Sequence, residues 1–181
     1  MNTQNFRLDA HRTGDLNNAR NFEWLVANGR GGFASACVNQ MSCRYHGLLV
    51  AAVKPPVERY VLLAKLEATA MVDGLTYELA TNDFPETVSP HGYRLLESFA
   101  LRPFPTWRWR VGDAIIEQSL CMIDGEDTTY IRYRLVSGDK PVTLTVRPMC
   151  QSPFSPPEKS CRIGNAAGTA HQGCCHPLMA G

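Results

Sequence analysis

Between residues 60 and 150 the chain is a succession of short runs in which apolar and polar residues alternate, broken by Gly and Asp. Trp107, Trp109 and Val111 alternate with Arg108 and Arg110, a period of two that sends aromatic bulk to one face of a strand and guanidinium groups to the other. Gly112-Asp113 then turns the chain. Residues 114–123 continue as a mixed strand, Asp124-Gly125-Glu126-Asp127 breaks it, and alternation resumes through Tyr130-Ile131-Arg132-Tyr133-Arg134-Leu135. After Ser137-Gly138-Asp139-Lys140, Val142, Leu144 and Val146 alternate with Thr143, Thr145 and Arg147. This spacing predicts an antiparallel meander. Upstream, residues 61–72 are rich in branched apolar side chains, Asp73-Gly74 suits the positive φ angles of a two-residue turn, and residues 75–81 return, which predicts a hairpin. No segment of about 12 residues carries a capped apolar stripe of helical period. With no βαβ crossover in view, the expected class is all-β, an antiparallel β-sandwich.

Composition sets the boundary of that domain. Residues 151–181 hold four Pro, four Gly, three Ser and four Ala, with Phe154 the single aromatic. Such a segment buries too little apolar area to offset the entropy of ordering it. The expectation is one domain over residues 1–150 and a disordered, low-complexity tail over 151–181. Lys and Arg total 18 against 17 Asp and Glu, a net charge of +1, so a purely electrostatic partner, whether nucleic acid or a membrane surface, is disfavoured. No apolar run approaches the roughly 20 residues of a membrane span. The first residues lack the apolar core of a secretory signal, which makes a cytoplasmic location the expectation. Seven cysteines in no regular framework read as reduced thiols.

The densest signal lies between Glu23 and Lys65. In Trp24-Leu25-Val26-Ala27-Asn28-Gly29-Arg30-Gly31-Gly32-Phe33-Ala34-Ser35, three glycines in four positions permit backbone conformations and close approaches that a Cβ forbids. This is neither a phosphate loop nor a dinucleotide fingerprint. Next, Arg44-Tyr45-His46 stands immediately before the apolar run Gly47-Leu48-Leu49-Val50-Ala51-Ala52, and Pro55-Pro56-Val57-Glu58-Arg59 leads into Val61-Leu62-Leu63-Ala64-Lys65-Leu66-Glu67. That order resembles the N-terminal domain of bacterial and archaeal glycogen debranching enzymes of the amylo-α-1,6-glucosidase type. Pro90-His91-Gly92-Tyr93, Pro103-Phe104-Pro105-Thr106-Trp107 and Arg147-Pro148-Met149 extend the likeness over residues 22–149. The resemblance implies a super-sandwich-like domain whose context is glycogen or limit dextrin, an α-glucan, with hydrolysis of α-1,6 branch linkages performed by a helical catalytic domain. Two departures stand out. Cys43 occupies a place where the family usually carries one of two arginines, and beyond Pro148 the chain runs into its Pro/Ser/Gly/Cys tail where the family continues into the catalytic domain. The expectation is a truncated, inactive chain.

Glycoside hydrolysis needs two carboxyl groups about 5 to 9.5 Å apart across the scissile bond. Asp73, Asp113, Asp124, Glu126, Asp127 and Asp139 sit in turns, where a carboxylate caps backbone N–H groups. Glu23, Glu67 and Glu97 adjoin apolar segments and are the carboxylates that burial would perturb. In the family resembled, the acid and base belong to the helical domain, so no catalytic residue is assigned. A sugar site combines aromatic faces with planar donors and acceptors, and Trp24, Asn28, Arg44, Tyr45 and His46 supply those types, the glycine turn and the Arg-Tyr-His segment together forming one edge toward a glucosidase cleft. The competing reading makes Trp24 and Tyr45 core, pairs Arg44 with a carboxylate and has His46 satisfy a buried carbonyl. Trp107-Arg108-Trp109-Arg110 reads as a core side and a solvated side rather than a nucleic-acid surface. Cys37 with Cys43, and His171-Gln172-Gly173-Cys174-Cys175-His176, match no zinc spacing, and no nucleophile elbow appears, so no metal or cofactor is assigned. Two other roles stay open: a free-standing carbohydrate-binding module, and an interaction domain for a separate helical partner. Either way, the surface a second domain would cover should be apolar and promote self-association.

Overall fold

A computed structural model describes residues 6–41, 45–54, 58–101, 103–150 and 178–179. The chain opens with β1 (Phe6–Asp9) and two short helices, α1 (Ala10–Thr13) and α2 (Leu16–Arg20). Thirteen more strands follow: β2 (Glu23–Ala27), β3 (Phe33–Cys37), β4 (Gly47–Lys54), β5 (Glu58–Val72), β6 (Leu75–Glu78), β7 (Thr81–Phe84), β8 (Thr87–His91), β9 (Leu96–Leu101), β10 (Pro105–Val111), β11 (Ala114–Met122), β12 (Thr128–Ser137), β13 (Val142–Cys150) and β14 (Leu178–Met179). Apart from that last pair of residues, the expectation for 151–181 falls outside the described residues. Asp9 and Asp15 cap the helices by accepting from backbone N–H groups in the first turn.

Two antiparallel sheets face each other. One runs β1-β9-β10-β11-β12-β14, and the other runs β13-β5-β4-β3-β2 with β6 also on β5. The turns predicted from sequence are where they were expected: Asp73 and Gly74 both have positive φ between β5 and β6, and Gly112 does so between β10 and β11. The meander, however, stops one strand early. β9 to β12 pair in succession, but β13 crosses to the other sheet and pairs with β5 from Val142↔Val72 to Cys150↔Leu63. The 15-residue β5 would otherwise leave a long row of backbone donors and acceptors unpaired along that edge.

The alternation of the tryptophan strand is resolved as a core side and a solvated side. Trp107, Trp109 and Val111 are buried, while Arg108 and Arg110 reach Glu117 and Glu97 on the outer face. Trp107 sits between Trp24 and Phe99, each with ring centroids 5.2 Å away, and its indole N–H donates to the carbonyl of Val38 at 2.8 Å. Trp24 and Val38 belong to the opposite sheet and the turn after it, so one side chain both fills the core and hydrogen-bonds across it. Thr129 Oγ1, donating to the Leu48 carbonyl at 2.8 Å, is a second buried bridge between the sheets.

Candidate functional site

The β2–β3 hairpin carries the sequence's strongest signal, and its two ends differ. At the turn end, Gly29 and Gly31 have φ of +75° and +96°, and Asn28 organises everything around them. Its Nδ2 donates to the Glu126 carbonyl (3.0 Å) and to Asp127 Oδ1 (2.8 Å), while its Oδ1 accepts from the backbone N–H groups of Arg30 and Gly32, both at 2.9 Å. Both donors and both acceptor positions of the amide are thus used, in a side chain with no exposed surface. Gly32 is required by contact: a Cβ there would lie 2.5 Å from Asn28 Nδ2 and 2.6 Å from Asp127 Oδ1. The Gly125 N–H donates to the Asn28 carbonyl at 2.7 Å. The glycine turn is therefore a clasp joining the hairpin to the β11–β12 connection of the other sheet.

The opposite end faces outward. Glu23 and Cys37 are paired in register across β2 and β3, and Ser35 pairs with Gly47, which brings His46, the residue before β4, alongside them. His46 Nε2 lies 3.4 Å from Glu23 Oε1, and Cys37 Sγ donates to the Arg20 carbonyl at 3.7 Å. Cys37 and His46 are buried, whereas Glu23 is exposed. Tyr45 is 73% exposed. Trp24, next to Glu23 but on the inward face, is in the core, and its indole N–H has no hydrogen-bond partner among the described residues.

Of the five residues proposed from sequence, His46 comes together with Glu23 and Cys37, Tyr45 is exposed just before it in the chain, Trp24 and Asn28 are interior, and Arg44 lies outside the described residues. The glycine turn and the Tyr45-His46 segment do not share one edge site. They sit at opposite ends of the hairpin, about 15 Å apart at 3.3 Å per strand residue.

The carboxylates singled out from sequence are all engaged. Glu23 faces His46, Glu67 accepts from Asn82 Nδ2 at 3.0 Å, and Glu97 pairs with Arg110. The carboxylate that sequence reasoning missed is Glu117 on β11, buried between Arg108 (2.8 Å) and Arg134 (2.7 Å). Burial by itself would raise its pKa, but the hydrogen bonds and charges of the two arginines outweigh it and hold the carboxyl below its ordinary range. The signal is cross-strand: Arg108, Glu117 and Arg134 occupy one register row on β10, β11 and β12, which no single strand displays. The pKa of Lys65 is also lowered, which for a cation disfavours the charged form. Burial lowers its pKa against the opposing pull of Glu67, and its amine donates to the Thr81 carbonyl at 3.0 Å and to Asn82. No described helix is long and apolar enough to cross a membrane.

Fold and geometry together define an antiparallel two-sheet sandwich in which a polar group of one exposed and two buried side chains, Glu23, Cys37 and His46, forms where β2, β3 and the start of β4 meet. The family model described as glycogen debranching enzyme N terminal matches residues 23–153, more than half of the chain, and the chain belongs to that family. Comparison with curated proteins and with solved structures gave no match.

Proposed function

We propose that this chain is the non-catalytic platform of a glycogen debranching system, supporting hydrolysis of α-1,6-glucosidic branch linkages by a helical catalytic domain, with the Tyr45-His46 end of the β2–β3 hairpin turned toward the glucan. The observation that carries the reading is the contrast in exposure within a single family motif: Tyr45 is largely exposed, whereas Trp24 and Asn28 are interior. The exposed Tyr45 ring supplies a stacking surface, and the exposed Glu23 carboxylate, 3.4 Å from His46, supplies a polar group of the kind that pyranose hydroxyls require. Arg44, adjoining Tyr45 in sequence, would add a cationic donor, and Trp24 and Asn28 hold the hairpin that presents the group. The partner domain is accommodated by apolar side chains left exposed on β12 and β13, among them Leu135, Val136, Val146 and Met149.

The test uses a complete debranching enzyme of this family that carries the same Arg-Tyr-His-Gly sequence. Tyr45→Ala at the equivalent position should raise KM for limit dextrin by tenfold or more with an unchanged circular dichroism spectrum; unchanged kinetics would remove the sugar-facing role. The chain alone should release no glucose from limit dextrin, and turnover by the purified chain would overturn the non-catalytic assignment. Measurable affinity of the isolated chain for maltooligosaccharides, lost in Tyr45→Ala, would instead favour a free-standing carbohydrate-binding module.

A further inference from the structure

We propose that Glu23, Cys37 and His46 form a binding site for a divalent transition metal, zinc by the character of its donors. The three residues are 14 and 9 positions apart along the chain, so no local spacing betrays them. Strand pairing assembles them: Glu23 and Cys37 are opposite one another on β2 and β3, and His46 enters from the start of β4. Their ligand atoms, a carboxylate oxygen, Sγ and an imidazole nitrogen, all lie within 4.8 Å of one another. In a tetrahedral zinc site with bonds of about 2.0 to 2.3 Å, ligand atoms stand roughly 3.3 to 3.8 Å apart. The Glu23–His46 separation of 3.4 Å already meets that spacing, and the other ligand distances, none above 4.8 Å, reach it by shifts of about 1 Å shared among the three side chains.

The donor set argues for a borderline metal rather than calcium or magnesium, because it contains one thiol, one imidazole and a single carboxylate. Charge argues for it as well. Thiolate, carboxylate and neutral imidazole bring two negative charges, which a divalent ion cancels, so the site becomes neutral where two of its three ligands are buried. Binding as thiolate transfers the Cys37 thiol proton to solvent, breaks its weak contact with the Arg20 carbonyl and replaces the Glu23–His46 contact by two metal bonds. Three protein ligands leave a fourth position open on the Glu23 side for water or another oxygen donor. An ion held here would tie the Tyr45-His46 segment to β2 and β3. The inference does not depend on the glucan reading, since metal binding is measured without carbohydrate.

The experiment is titration of the full chain, reduced and stripped of metal, with zinc by calorimetry and with cobalt by absorption spectroscopy. The background carries C161S, C174S, C175S, H171Q and H176Q, which removes the thiol and imidazole donors of residues 151–181, and a parallel protein carries Cys43→Ser. One equivalent should bind in both backgrounds, and cobalt should show the charge-transfer absorption of a thiolate ligand. Cys37→Ser should abolish that absorption and weaken zinc binding at least tenfold, and His46→Gln should do the same to affinity. Glu23→Gln, at an exposed position where folding is not at stake, should weaken binding while keeping the thiolate absorption. Loss of the bound equivalent on removing the donors of residues 151–181, binding unaffected by Cys37→Ser and Glu23→Gln, or no binding at micromolar zinc would each overturn the proposal. Failure of His46→Gln to fold leaves the other two variants to decide.

Discussion

The two ends of the β2–β3 hairpin are built from the same vocabulary of polar residues and glycine but have opposite characters. At the turn, Asn28 spends every hydrogen-bonding group it has on the chain itself, and Gly32 leaves the room in which Asp127 and the amide approach. At the far end, Tyr45 faces water and His46 is gathered with Glu23 and Cys37. Glycine and polar residues packed densely into a short sequence therefore mark architecture in one place and outward chemistry in the other. What separates them is exposure: Asn28 is fully buried, whereas Tyr45 is 73% exposed.

That difference can be broken by mutation. The largest effect belongs to Asn28→Ala, which strands two backbone N–H groups, a carbonyl and a carboxylate oxygen at a buried site; the expected loss is about 3 kcal/mol in denaturant unfolding, and a loss below about 1 kcal/mol would show that the clasp is not what holds the sheets. Gly32→Ala should follow at about 2 kcal/mol, because its Cβ meets polar atoms that cannot retreat without breaking the same bonds.

Glu117 sharpens the comparison as a second inward-looking polar cluster. Its native pKa is lowered, so its contribution is complete above the ordinary glutamate pKa of about 4.3 and disappears as pH falls through the lower native value. Glu117→Gln should cost about 1 to 2 kcal/mol at neutral pH, less than a fully buried pair because both arginines are partly exposed. The variant should also flatten the acid limb of the stability curve, and an unaltered acid limb would contradict that linkage. At the other extreme, Tyr45→Ala should change unfolding free energy by less than about 0.5 kcal/mol while altering whatever the ring contacts. A large destabilisation there would mean that Tyr45 is structural after all.

Much of the fold was legible in sequence. A period of two at residues 107–111 depends only on a strand having two faces, and a Gly or Asp-Gly at each break depends only on local φ preferences, so both survive into the structure. The crossing of β13 was not legible, since Val142, Leu144 and Val146 alternate equally well on either sheet. The site was legible only in part. Tyr45 and His46 stand in a recognisable family motif, but their company does not, because Cys37 and Glu23 reach them through register rather than through sequence proximity.

The sequence by itself determined the strand class, most of the turns and the family, all of which rest on interactions among residues a few positions apart or on motif order. Only the tertiary structure decided which polar residues are buried and what each one meets. It placed Asn28 against Asp127 from the other sheet, closed two arginines around Glu117, and set a thiol, an imidazole and a carboxylate side by side. The physical reason is that hydrogen bonds across a sandwich and contacts between neighbouring strands depend on register and packing, which alternation along one strand does not encode.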